Sequence, residues 1–221
     1  MYSFNWHKEN HLEFQKQNIW CSRELWRYLN RISKGDFPQQ YFNDDKIQRI
    51  SSFKINGLNK GIVPSIGREF INRNIIKEVG KEYILVSLSS KVFENFVKAK
   101  INRIPNHDVI LRNILLKDEN SIAKEIPIWM DPPNTITGHI DLIRISNNIL
   151  EVADYKPEGN FMRSIPQVAF YGYLLAKKFG LDSSEINCIS FNRELAWIYN
   201  PFIIFEELNT ILKGVWNNYL K

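Results

Sequence analysis

Two aspartates and a lysine stand at spacings that gather them at one end of a β-hairpin. Gly138-His139-Ile140-Asp141 is followed by Asp154-Tyr155-Lys156, and Asn147-Asn148 lies between two apolar runs. A two-residue, Asn-rich loop favours a type I′ turn, in which both central residues need positive φ. With that loop, Ser146 faces Ile149, Ile145 faces Leu150, Arg144 faces Glu151, Ile143 faces Val152 and Asp141 faces Asp154. Directly opposed carboxylates repel, so a positive charge is expected between them. Because side chains alternate along a strand, Lys156 emerges on the face of Asp154 and Tyr155 on the other. A hard divalent cation takes carboxylate, carbonyl and water oxygens and leaves positions for a substrate phosphate. Asp141, Asp154 and the backbone carbonyl of Tyr155 would suit it, which is the chemistry of a metal-dependent nuclease.

The same register puts Arg144 opposite Glu151 on the other face, a favourable pair that a one-residue slip would lose. The hairpin is what gives Asp-x-Lys meaning. Asp44-Asp45-Lys46 fits the same three-letter pattern in a polar stretch that no strand leads into. After the hairpin, Ser164 is placed to cap a helix with Pro166 in its first turn, and Gly180 to end it. Gln167 and Tyr171, four apart, share a face near the start of that helix, where free amides and the helix dipole favour an anion such as phosphate.

Gly138-x-x-Asp141, Asp154-x-Lys156 and Gln167-x-x-x-Tyr171, in that order, resemble the PD-(D/E)XK nuclease superfamily. In motif order the chain is most similar to the RecB-like exonuclease branch, which includes CRISPR-associated and viral members. The resemblance runs from about Lys91 to Asn200. It implies a restriction-endonuclease-like α/β core, a central mixed sheet flanked by helices. Within it, Asp141 and Asp154 would bind Mg²⁺ or Mn²⁺, Lys156 would position or activate the attacking water, and Gln167 and Tyr171 would orient DNA. It also implies an acid or histidine on a helix ahead of the first core strand. Glu94, in the helix-like stretch Lys91–Lys98 before the strand Lys124–Trp129, is the expected ligand, with His107 and Glu69 as alternatives. Glu125, on that strand, is a further acid that could reach the metal from a neighbouring position. Several relatives in this branch carry an iron-sulfur cluster, which needs about four thiolates. With only Cys21 and Cys188, this chain is expected to have none.

Composition and hydrophobic pattern outline the scaffold around these residues. The chain has 221 residues and 44% hydrophobic content, enough for one compact unit with a sizeable core. Residues 1–88 are expected to form a mainly helical extension and 89–221 the nuclease core. Trp6 to Ile32 reads as one long or two short helices, about Arg68 to Val79 as a helix, Tyr83 to Leu88 as a strand, and Ile186–Phe191 and Ala196–Tyr199 as strands. Phe205, Leu208, Leu212, Val215, Trp216 and Tyr219 form a helical stripe that suits core or a homodimer contact. No run of 18 apolar residues offers a membrane span, and the first 20 residues lack a signal-peptide core. Two cysteines make a disulfide framework unexpected, which fits an intracellular protein, in a host cell if viral.

A net charge of +5 and an isoelectric point near 9.1 favour a polyanionic partner such as DNA. From Lys91 to Lys117 six basic residues (Lys91, Lys98, Lys100, Arg103, Arg112 and Lys117) stand against Glu94 and Asp108, a stretch suited to a phosphate backbone. The expectation is a DNA-hydrolysing enzyme, with exonuclease action slightly favoured. The alternatives are a Holliday-junction or restriction-type endonuclease of the same superfamily, and a nucleic-acid-binding or assembly protein with a degenerate site.

Overall fold

The β5–β6 hairpin forms in the expected register. The computed structural model describes residues 3–55, 61–157 and 161–212. In it, β5 (Ile136–Ser146) turns into β6 (Ile149–Tyr155) through Asn147 at φ 51° and Asn148 at φ 65°, the left-handed pair a type I′ turn needs. Pairing runs from Ser146–Ile149 through Arg144–Glu151 to Leu142–Ala153. It stops there, one pair short of Asp141 and Asp154, and the N–H of Tyr155 instead donates to Oδ2 of Asp141 at 2.9 Å. The two strands part where the acids stand.

Around this hairpin lies an eight-stranded mixed sheet in the order β1-β4-β5-β6-β7-β8-β3, with β2 paired to β5 off that path. The other strands are β1 (Asn5–Trp6), β2 (Gln48–Arg49), β3 (Ile76–Val79), β4 (Ser121–Met130), β7 (Ile186–Phe191) and β8 (Ala196–Tyr199). The helices are α1 (Lys8–Lys16), α2 (Trp20–Ser33), α3 (Gln39–Asn43), α4 (Ile62–Asn72), α5 (Ile84–Lys98), α6 (His107–Lys117), α7 (Phe161–Phe179) and α8 (Pro201–Leu212). β6 and β7 are parallel and joined through α7, the connection that parallel neighbours require.

Strand alternation splits the core between the two faces. Ile143, Ile145, Leu150 and Val152 pack with α2 and α7, where Leu25, Leu29, Val168 and Leu175 are buried. Leu142, Ala153 and Tyr155 pack with Leu85 and Val86 of α5 and with Ile110, Leu111 and Ile114 of α6. On that second face Arg144, 1% exposed, bonds Glu151, Tyr83 Oη at 3.0 Å and Asp118 Oδ2 at 2.6 Å. Two carboxylates and a phenol satisfy the buried guanidinium, so the cross-strand pair expected from the register is part of a complete network.

Several elements differ from the sequence expectation. Residues 3–55 and 61–88 carry α1–α4 and the start of α5, and they also supply β1, β2 and β3 to the sheet, so position 88 marks no boundary and falls inside α5. Tyr83–Leu88 is the start of α5 rather than a strand, since a short apolar run buried against a neighbouring helix has no distinguishing period. The helix expected over Arg68–Val79 ends at Asn72. Asn74 follows at φ 57°, and Ile76–Val79 pairs antiparallel with β8. Ser164 does not cap α7; it lies a turn inside, its Oγ donating to the Phe161 carbonyl at 3.0 Å. Phe205 and Leu208 are buried as expected, whereas Val215, Trp216 and Tyr219 lie outside the described residues. No helix among the described residues is long and apolar enough to cross a membrane.

The N-terminal pieces are tied down by polar side chains. Tyr28 Oη donates to the carbonyl of Pro127 on β4 at 2.7 Å. His11, fully buried, receives the Trp6 indole N–H at Nδ1 (3.0 Å) and lies 2.8 Å from the Ser22 carbonyl at Nε2. Since indole only donates, Nδ1 must accept and Nε2 must carry the proton. Burial lowers the His11 pKa from 6.5 to about 4, with the Ser22 bond opposing weakly. The unfolded chain therefore takes up a proton that the folded one refuses. Stability from this group is complete above pH 6.5 and is lost as pH falls toward 4. Urea melts at pH 7.0 and 4.5 should show wild type losing on the order of 2 kcal/mol more than His11→Gln. Equal losses would show that His11 is protonated in the folded protein.

Candidate functional site

Three neighbouring strands each carry one acid at the same level of the sheet. Lys124 pairs with Leu142 and Ile126 with Ile140, so Glu125 of β4 stands opposite Asp141 of β5. Asp154 of β6 follows one position beyond the last β5–β6 pair. The first residue of α6 covers this row: His107 Nε2 is 2.8 Å from Asp141 Oδ2, and Nδ1 is 3.8 Å from Glu125 Oε1. Asn106 holds the helix start in place, its side chain accepting from Val109 N at 2.9 Å. Lys156 Nζ lies 2.6 Å from Asp154 Oδ2. One ligand atom from each of His107, Glu125 and Asp141 falls within 4.8 Å of the others, a spacing that could hold a metal ion.

The depth of each group differs. The side chains of His107 and Lys156 are 38% and 26% exposed, while that of Asp154 is 1% exposed. Asp154 is therefore the floor of the site, although it stands at a strand end. Asp154 Oδ1 and Glu125 Oε2 are buried without hydrogen-bond partners among the described residues. Burial, reinforced by Asp141, pushes Glu125 up to about 7. The same two causes raise Asp154, with Lys156 opposing. Burial alone would lower His107, but its bond to Asp141 and the charges of Asp141, Asp154 and Glu125 raise it on balance. Crowded carboxylates thus draw protons where a cation could sit instead. Imidazole nitrogen with carboxylate oxygens, two of them buried and unpartnered among the described residues, is a donor set that could hold a divalent cation.

Glu94, the expected helix ligand, is not part of this cluster. α5 packs through Leu85, Leu88 and Val92, which leaves Glu94 exposed and 3.5 Å from Ser90 Oγ. The helix that meets the acids is α6, which brings His107, one of the two alternatives to Glu94, beside Asp141 and Glu125. Glu69, the other alternative, is exposed on α4 and 3.5 Å from Arg73. Of Tyr155, whose carbonyl is the expected ligand, the backbone N–H bonds Asp141 and the ring lies 5.8 Å from the His107 ring.

Gln167 and Tyr171 share a face of α7, and Gln167 Nε2 donates to Tyr171 Oη at 3.2 Å. They are buried, in the second and third turns of the helix rather than at its N-terminus. They back the sheet instead of offering an open anion site. Tyr171 also explains Gly138: a Cβ there would stand 2.5 Å from Tyr171 Cε1 and 3.1 Å from Ile50 Cδ1. The glycine of the motif is the gap that the tyrosine ring fills.

Cys21 and Cys188 are free and buried, and burial raises the pKa of each, Cys21 to about 11, as inert thiols. No family model, curated protein or solved structure matches the chain. The functional reading therefore rests on the site itself. Because Tyr171 is walled in, Gly138→Ala should lose about 1–3 kcal/mol in urea melts through overpacking. An unchanged midpoint would show that the ring can move aside.

Proposed function

We propose that the protein is a Mg²⁺- or Mn²⁺-dependent deoxyribonuclease of RecB-like type that hydrolyses phosphodiester bonds, acting from DNA ends. The observation that carries this reading is the joining of Asp141, Asp154 and Lys156 with His107 at one sheet end, where two strands separate. A bound divalent cation would polarise a phosphate oxygen and lower the pKa of its water toward neutrality.

The protein groups have distinct parts in this reading. Asp141 is oriented before any ligand arrives, because Oδ2 is already fixed by the Tyr155 N–H and His107. Asp154, below it, anchors the ammonium of Lys156. That ammonium is partly exposed and has protons to donate to a phosphate oxygen or to hold the attacking water. His107 closes the solvent side as a nitrogen ligand. Lys98, Lys100 and Arg103 are exposed in the segment leading to His107 and supply cations for the phosphate backbone. Gln167 and Tyr171 act from behind, holding the β5 backbone in place through the Gly138 contact.

Asp154→Asn and Lys156→Ala should each reduce cleavage of linear DNA at least 100-fold in Mg²⁺. The Asn variant should melt no lower than wild type, because it removes a crowded buried carboxylate. Wild-type cutting by either folded variant, or full cutting in excess EDTA, would sink the assignment. Closed circular DNA should resist, and its rapid cleavage would move the reading to an endonuclease.

Calcium should support DNA binding without efficient cutting, and manganese should support cutting. In parallel Mn²⁺ titrations, His107→Ala should bind at least tenfold more weakly while Glu94→Gln matches wild type. The reverse order would return the helix ligand to α5.

A further inference from the structure

Consecutive side chains of a regular strand point to opposite faces of the sheet. Lys124 and Glu125 break that rule together. Lys124 Nζ, fully buried, lies 2.6 Å from Asp108 Oδ1, while Glu125 Oε1 lies 3.8 Å from His107 Nδ1. Two neighbouring residues of β4 thus reach two neighbouring residues of α6. The backbone explains it: Glu125 sits at φ 53°, the left-handed region, inside a strand whose pairing with β5 continues on both sides. A non-glycine residue there is strained, and glutamate has no short polar side chain to relieve it locally.

The strain turns a carboxylate into a buried position that gives it little back. Glu125 is 4% exposed, Oε2 has no hydrogen-bond partner among the described residues, and Asp141 stands opposite. A glutamate kept for stability would not be expected in such surroundings. We infer that Glu125 is a ligand of the divalent cation, aimed at the His107–Asp141 side of the site by its left-handed backbone. This rests on the proposed function only in supposing a divalent ion there. Asp141 is then shared between a His107–Glu125 side and an Asp154–Lys156 side.

The test uses the full chain with Mn²⁺ alone, without DNA, read by calorimetry and by the loss of free-ion electron paramagnetic resonance signal. Glu125→Gln and Glu125→Gly should each bind Mn²⁺ at least tenfold more weakly than wild type. In EDTA, Glu125→Gln should melt no lower than wild type. Wild-type Mn²⁺ affinity in both variants, or a lower melting midpoint of the Gln variant in EDTA, would overturn the assignment, the latter by making the carboxylate structural. Weakened Mn²⁺ binding in a protein whose wild type cuts no DNA would remove the nuclease reading and leave Glu125 a ligand. Normal cutting with unchanged affinity in the Gln variant would do the opposite, and a wild type that binds no Mn²⁺ would remove both.

Discussion

Turn geometry and strand register are one constraint in a two-residue hairpin, and here that constraint decides which charges meet. Asn147 and Asn148 accept left-handed backbone more readily than most residues. The ladder they set pairs Arg144 with Glu151 and brings Asp141 level with Asp154. β4 then adds Glu125 by pairing with β5, and β7 fixes the far side of β6 by aligning Asp154 with Ser190. Every ligand proposed for the site, except the one from α6, takes its place from this ladder.

Two groups of buried charges lie along the same hairpin and differ in balance. Around Arg144, each polar atom of the guanidinium faces an acceptor, and Asp118 also takes the Ser121 hydroxyl at 2.6 Å. Such a network is complete as it stands, and removing a member leaves an unpaired charge. At the strand ends, three carboxylates share Lys156 and a partly exposed histidine, and two oxygens lack partners among the described residues. Both groups hold deeply buried carboxylates, but the second opens to solvent at His107 and Lys156 and is the one of the two that keeps unpartnered oxygens among the described residues, which suits a site for a cation.

The parts of the site legible in the sequence are those governed by local rules. Two asparagines give the turn, the turn gives the register, and the register gives the acid pair and the Arg144–Glu151 match. Four-residue spacing likewise places Gln167 beside Tyr171. His107 required more: choosing it over Glu94 depends on which helix start lands on the sheet end, a matter of packing between distant segments. Glu125 is legible as a candidate acid on the first core strand, but its direction toward His107 is not. Alternation assigns it to the face away from Lys124, and a left-handed glutamate inside a strand leaves no mark in composition or period. β1 and β2, each two residues long, are likewise too short to show a pattern.

Pro127 and its tyrosine partner bear on how the open side of β4 is covered. β4 is ten residues long, yet its outer side pairs with β1 only at Ala123 and Lys124, so much of an edge would lie open to strand addition. Proline removes a donor from that edge, and Tyr28 occupies the matching acceptor while α2 lies against the same core. The N-terminal segment is thus a guard rail as well as a support. A chain trimmed to residues 89–221 would keep the strand-end acids and lose that protection, exposing much of the β4 edge to strand addition.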